Sequence, residues 1–202
     1  MIRIFVGYDP REPAACARGG YVTGFDRVWS PDGFQVGADQ LATLPEGWRW
    51  LLHATRQALR DAGVETPGPR AGLVLGSLGY ATRTFADTAA LRWCGDLDAD
   101  SPALAGQYGA VTWTAAACGI DGPRFALDAA CASGLYALKA ACDLLESRRA
   151  DLVVAAGLNA ADDLFLHVGF TALSALSRTG RSSPLSTNAD GLLQRKAQPC
   201  SC

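Results

Sequence analysis

The sequence predicts an α/β protein, a sheet with helices on both faces, and three observations carry that expectation. Apolar runs alternate in kind along the 202 residues, short compact ones suited to strands and longer ones with helical spacing. The strand candidates are apolar almost throughout, as strands covered on both sides must be. Apolar residues make up 49% of the chain and charged residues 19%, the balance of a packed globular protein with one sizeable core.

The elements follow in order. "MIRIFVGYDPREP" opens with a short alternating strand bearing charge at both ends, unlike a signal peptide. "WRWLLHATRQALRDAG" has helical spacing and stops at Gly63. After the Pro/Gly-rich "ETPGPR", the compact run "AGLVLGS" reads as a buried strand. Helices are expected around Thr84–Trp93 and Pro102–Cys118. Then come strand "RFALD", helix Ala132–Arg148, strand "DLVVAAG" and a helix through "DDLFLHVGFTALSAL". The last stretch, "SRTGRSSPLSTNADGLLQRKAQPCSC", is polar, turn-rich and without periodicity.

Charge and composition exclude several classes. A formal net charge of −2 gives no electrostatic reason to expect nucleic acid or an anionic membrane. No apolar segment approaches the roughly 18 residues of a membrane span. The seven cysteines are an odd number without zinc-type spacing and without an export signal, which points to reduced thiols and a cytoplasmic setting. The terminal Cys-Ser-Cys is an isolated pair, too little for a metal site, and no cofactor is expected. "GSLGYATR" follows a strand yet lacks both the dinucleotide-binding glycine spacing and a Walker pattern.

One thiol stands apart. In "RFALDAACASGLYALKAACDLL", Cys131 sits where a strand gives way to a helix, among Ala129, Ala130, Ala132, Ser133 and Gly134. Unpaired N–H groups and the macrodipole at a helix start favour a thiolate, and the same N–H groups suit the oxyanion formed when a thioester carbonyl is attacked. A small buried side chain is the competing reading. Helical spacing puts Leu135, Leu138, Cys142 and Leu145 on one stripe, so Cys142 is expected to be buried, and it puts Lys139 and Asp143 at i,i+4 on another.

That segment resembles the active-site region of β-ketoacyl synthases, condensing enzymes of the thiolase superfamily, with their strand, Asp-x-Ala-Cys-x-Ser and long helix. "RRADLVVAAGLNA", "DDLFLHVGFTALSALS" and "GRSSPLSTNADGL" are similar to the family's next strand, helix and Arg-x-x-Pro-Phe…Asp-Gly-Phe loop, in the family's order. "GFDRVWSPDGFQV", "RWLLHATRQALRDAG" and "AGLVLGSLGY" resemble its early region. The wording is nearest to ketosynthase domains of polyketide or polyunsaturated-fatty-acid synthases. The resemblance implies an incomplete thiolase-like layered fold, helices on both faces of a mixed sheet and roughly its N-terminal half, with the ketosynthase region over 19–192, an atypical strand and loop over 1–18 and a non-family tail over 193–202.

It also implies chemistry. Cys131 would take an acyl group from the phosphopantetheine of an acyl carrier protein, and a malonyl-type extender would then lose carbon dioxide and condense with it. Phe170 resembles an aromatic bordering the acyl pocket, against a reading as plain helix packing. "RFALD" is similar to the strand that pairs across the family's two-fold, which implies a homodimer. The family's two further histidines, in His-Gly-Thr-Gly-Thr and Asn-x-Gly-His segments, have no counterpart here, nor has its glycine-rich loop with a phenylalanine. The chain holds only His53, expected on the solvated side of its helix with Arg49, Arg56 and Arg60, and His167, in a helix matched by non-catalytic positions. The ending "LLQRKAQPCSC" and the start "MIRIFVGYDPRE" both depart from the family, so truncation or a misjoined end is expected, and little condensing activity from the chain alone. A related coenzyme A-using synthase or thiolase, and a non-catalytic half completed by another chain, are the alternatives.

Overall fold

The structure is a computed structural model and describes residues 20–79, 93–94, 106–159, 163–193 and 195–196. The expected first strand, the helix expected over Thr84–Trp93 (apart from its last residue) and the terminal cysteines lie outside these.

The centre is a three-stranded parallel sheet in the order β3-β2-β4, formed by Arg124–Leu127 (β3), Ala71–Ser77 (β2) and Leu152–Leu158 (β4). All described strand pairs are parallel, so an antiparallel member is not among the described residues. Strand β2 is buried at every position, as its uninterrupted apolar run requires. Leu73 and Leu75 point into a cluster with α2 (Glu46–Asp61) and α3 (Gly106–Cys118), while Val74 points the other way onto α4 (Ser133–Glu146). Helices therefore cover both faces.

Helix α2 begins after Pro45 and ends where Gly63 N–H caps the Arg60 carbonyl, at the glycine the sequence marks as its stop. Its apolar side contributes Trp48, Leu51 and Leu52, joined by Leu41 and Leu44 from the short α1 (Ala38–Ala42) and its exit. Each such leucine, fully buried, contributes about 1.5–3 kcal/mol. The junction into β4 is tied by Arg70, whose Nε pairs with Asp151 at 2.9 Å and whose guanidinium also reaches the Arg148 carbonyl.

Helix α5 (Asp163–Ala172) ends earlier than the apolar run "FTALSAL" suggests. Ser174 takes a positive φ of 52°, and Leu176 is buried in a parallel bridge to Leu192. The polar stretch between is thus a closed loop. Ser177 Oγ donates to Asp190 Oδ1 at 2.6 Å, Thr179 N–H donates to Asp190 Oδ2 at 2.9 Å, and these bonds hold the Asp190 carboxyl below its ordinary range. At Gly191 a Cβ would stand 2.6 Å from the Ser177 nitrogen, so the loop closes only on a glycine. Beyond it, Arg195–Lys196 (β5) pairs in parallel with Gly20–Tyr21 (β1). Among the described residues no helix is long and apolar enough to cross a membrane.

Candidate active site

Strand β3 delivers the chain to a tight turn and then to α4, and Cys131 occupies that turn, exposed. The turn is strained: Ala130 has φ +50°, a left-handed conformation that costs a residue with a Cβ about 1–2 kcal/mol. Two side chains of the Asp-x-Ala-Cys-x-Ser segment hold it. Ser133 Oγ accepts the Ala129 N–H at 2.9 Å and donates to the Ala130 carbonyl at 2.6 Å. Asp128 Oδ1 accepts the Ala130 N–H at 2.9 Å, while Oδ2 accepts the Gly79 N–H at 2.9 Å from the exit of β2. Those two N–H bonds lower the Asp128 carboxyl below its usual value.

The other constraint is steric. A Cβ on Gly76 would lie 2.2 Å from the Ser133 carbonyl oxygen, so the start of α4 rests directly on the backbone of β2. Ala137, Ala141 and Leu144 then seat the helix on the sheet. No side chain caps the start of α4. The Ser133 N–H is taken by the Ala130 carbonyl in the preceding turn, so what the helix start leaves without a side-chain cap are the N–H groups of the residues that follow.

The described cysteines differ in kind. Cys118, half-buried at the end of α3, has its thiol pushed up to about 12 by burial. Cys94, Cys131 and Cys142 are exposed. Exposure of Cys142 corrects the expectation that it packs in the core: Leu135, Leu138 and Leu145 on the same stripe are 74%, 55% and 42% exposed. The side of α4 that meets the sheet is the one built from Ala137, Ala141 and Leu144, small enough for close approach.

His53 also departs from expectation. Its ring packs edge-on against Phe25 at 5.7 Å, and its Nδ1 is buried without a partner among the described residues. Burial first, then the charges of Arg56 and Arg60, lower its pKa. The cause is the segment following β1, where Phe25, Trp29 and Phe34 stack in a ladder and Arg56 lies 4.3 Å over the Phe34 ring. Helical periodicity within α2 carries no sign of that cover. Phe170 lies half-buried on the last turn of α5, its carbonyl accepting the Ala175 N–H. His167 falls on the same helix, and its side chain is outside the described ones. A cavity of about 480 Å³, lined by Phe34, Arg56, Arg60 and Cys118 among others, lies at the far end of α2 and includes none of the turn residues.

Asp128 and Ser133 are the residues whose work the sequence did not disclose. The Asp-x-Ala spacing, which lets a carboxylate accept the N–H two positions on, is the local signal for the first. The link from Asp128 to Gly79 spans 49 positions and has no local signal.

A parallel sheet layered between helices, with a cysteine held at a strand-to-helix turn, is the arrangement expected of a protein of the thiolase-like class. Consistent with that, a family model described as "Beta-ketoacyl synthase, N-terminal domain" matches residues 9–194. The chain belongs to the β-ketoacyl synthase family. It is 31% identical over 197 residues to a phenolphthiocerol/phthiocerol polyketide synthase of Mycobacterium tuberculosis (strain CDC 1551 / Oshkosh), covering 93% of this chain and 10% of that protein. Among solved structures it is similar to the PfaC keto synthase-chain length factor, with a TM-score of 0.67, 29% identity and coverage of 89% of this chain and 22% of that one. The oxazolomycin ketosynthase domain OzmH KS7 of Streptomyces albus JA3453 matches with a TM-score of 0.57 and 25% identity over 73% of this chain and 26% of that one. The chain thus spans a tenth of that polyketide synthase and about a quarter or less of the two solved chains.

Proposed function

We propose that this chain carries the acyl-accepting half of a β-ketoacyl-acyl-carrier-protein synthase, with Cys131 as nucleophile. The sulfur attacks the thioester carbonyl of an acyl group on the phosphopantetheine of an acyl carrier protein. The oxyanion of the tetrahedral adduct meets the N–H groups at the start of α4. The bond to the phosphopantetheine sulfur then breaks, that sulfur takes a proton, and the acyl group remains on Cys131. The reading rests on one observation: an exposed thiol at a helix start without a side-chain cap, in a turn braced by Asp128 and Ser133. Phe170 is assigned to the border of the acyl pocket.

In the second half-reaction a malonyl-type extender loses carbon dioxide, and its carbanion attacks the acyl-cysteine to give a β-ketoacyl product. That step depends on the two histidine segments the family carries and these 202 residues do not. Position of β3 at the edge of its sheet among the described residues supports the homodimer that the family resemblance implies. The work belongs to fatty-acid or polyketide synthesis, in the cytoplasm.

The exposed stripe of α4 favours a second reading, in which the chain is a non-catalytic half completed by another chain. Acyl-carrier-protein and acyl-coenzyme A donors, followed by intact mass, separate the possibilities. An adduct from the carrier donor, lost in Cys131→Ser, supports the proposal, and no adduct from any thioester overturns it. Formation of β-ketoacyl product by the chain alone, at the rate of a complete synthase, would overturn the assignment of only half the reaction.

A further inference from the structure

We propose that Asp128 is a positioning residue for Cys131, latching the strained turn to the exit of β2; the inference deepens the reading of Cys131 as nucleophile and rests on it. The carboxylate bridges the turn that carries the thiol and the exit of β2. One oxygen accepts the Ala130 N–H and the other the Gly79 N–H, each at 2.9 Å. The first bond secures the residue with φ +50°, immediately before Cys131. The second ties that residue to a strand whose Gly76 already supports Ser133. Ser133 satisfies the Ala129 N–H and the Ala130 carbonyl, so the Ala130 N–H falls to Asp128. Without the latch the turn is free to relax towards an ordinary right-handed conformation, which swings the Cys131 sulfur away from the helix N–H groups.

Charge works in the opposite direction, and this makes the role testable. Removing a carboxylate near a thiol by itself favours the thiolate and speeds alkylation. A positioning role slows it.

The experiment is iodoacetamide labelling of the full chain at neutral pH, resolved by peptide mass spectrometry, for wild type, Asp128→Asn and Asp128→Ala. Cys142 is the reference for an exposed thiol on the helix that follows the turn, and Cys118 reports whether the fold is intact. The expected result is a fall in Cys131 labelling relative to Cys142 of about fivefold in Asp128→Ala, the size of one modest hydrogen bond. Asp128→Asn, which keeps an acceptor for Ala130 but none for Gly79, should fall between, with Cys118 still protected in both. If Asp128→Ala exposes Cys118, the asparagine variant decides alone: slowed labelling supports the latch. Unchanged or faster labelling of Cys131 in variants that protect Cys118 overturns it, as does exposure of Cys118 in both variants, which would make Asp128 a determinant of the fold. The labelling ratio is read without any thioester, so failure of acyl transfer in the wild type sinks the nucleophile reading while leaving this measurement free to come out either way.

Discussion

The two faces of the central sheet are covered very differently. On one, α2 and α3 bury Leu52, Leu73, Leu75, Val111 and Ile120 completely or nearly so, with Trp29, Phe34 and Trp113 packed round the margin. On the other, α4 meets the sheet through Val74, Ala137, Leu144 and Ala150, and turns leucines outward. The thick face is where the stability resides. The thin face carries the thiol, placed by backbone contact and hydrogen bonds more than by apolar mass. Stability and site geometry are therefore expected to separate in part: the helices that close the core, α2 and α3, do not touch the turn of Cys131, while β2 serves both.

The largest expected effect tests that separation. Leu52→Ala on α2 should cost about 2–5 kcal/mol in urea unfolding, a cavity in a closed core. Leu138→Ala on the outward stripe should stay within about 0.5 kcal/mol. Equal costs would break the comparison. Next comes Gly76→Ala. Its new methyl meets the Ser133 backbone, which has no flexible end to yield, so overpacking of about 1–3 kcal/mol is expected together with slower alkylation of Cys131. Tryptophan fluorescence from Trp48 and Trp50 on the thick face should stay native; if it changes with the thiol, the faces are not independent. A smaller effect is expected from Leu135→Ser with Leu138→Ser, which should reduce self-association by light scattering without lowering the melting temperature.

The smallest effect concerns pH. His53 is held below its ordinary value of 6.5, so the unfolded chain binds its proton more readily than the folded one. The contribution is fully present above 6.5 and is lost as pH falls below it towards the folded value. Urea midpoints should decline modestly over that acid range, and His53→Leu should flatten the decline. A decline that is unchanged in the variant would assign it to other groups.

The sequence disclosed the scaffold because the signals were local. Uninterrupted apolar runs marked β2 and β4 as strands, Gly63 marked the stop of α2, and small residues round Cys131 marked the turn. Where reading failed, the cause was a contact at long range. His53 looked solvated because its own helix is polar on that side, whereas the cover comes from Phe25, which lies 28 positions earlier by number and is not part of the helix. Cys142 looked buried because a stripe of leucines reads as a core face, while alanines do the packing on this helix. The end of α5 was hidden by apolar residues that serve instead in the Leu176–Leu192 bridge. Asp128 was visible as part of a motif, but its second partner was not.

The central claim is that one thiol among several accessible ones has been set up to accept an acyl group. Site-resolved peptide mapping after brief exposure to an acyl-carrier-protein thioester tests it most directly. The acyl group is expected on Cys131, with Cys94 and Cys142 unmodified at the same exposure. Acylation spread over the three in proportion to their accessibility, or found on Cys142 first, would contradict it.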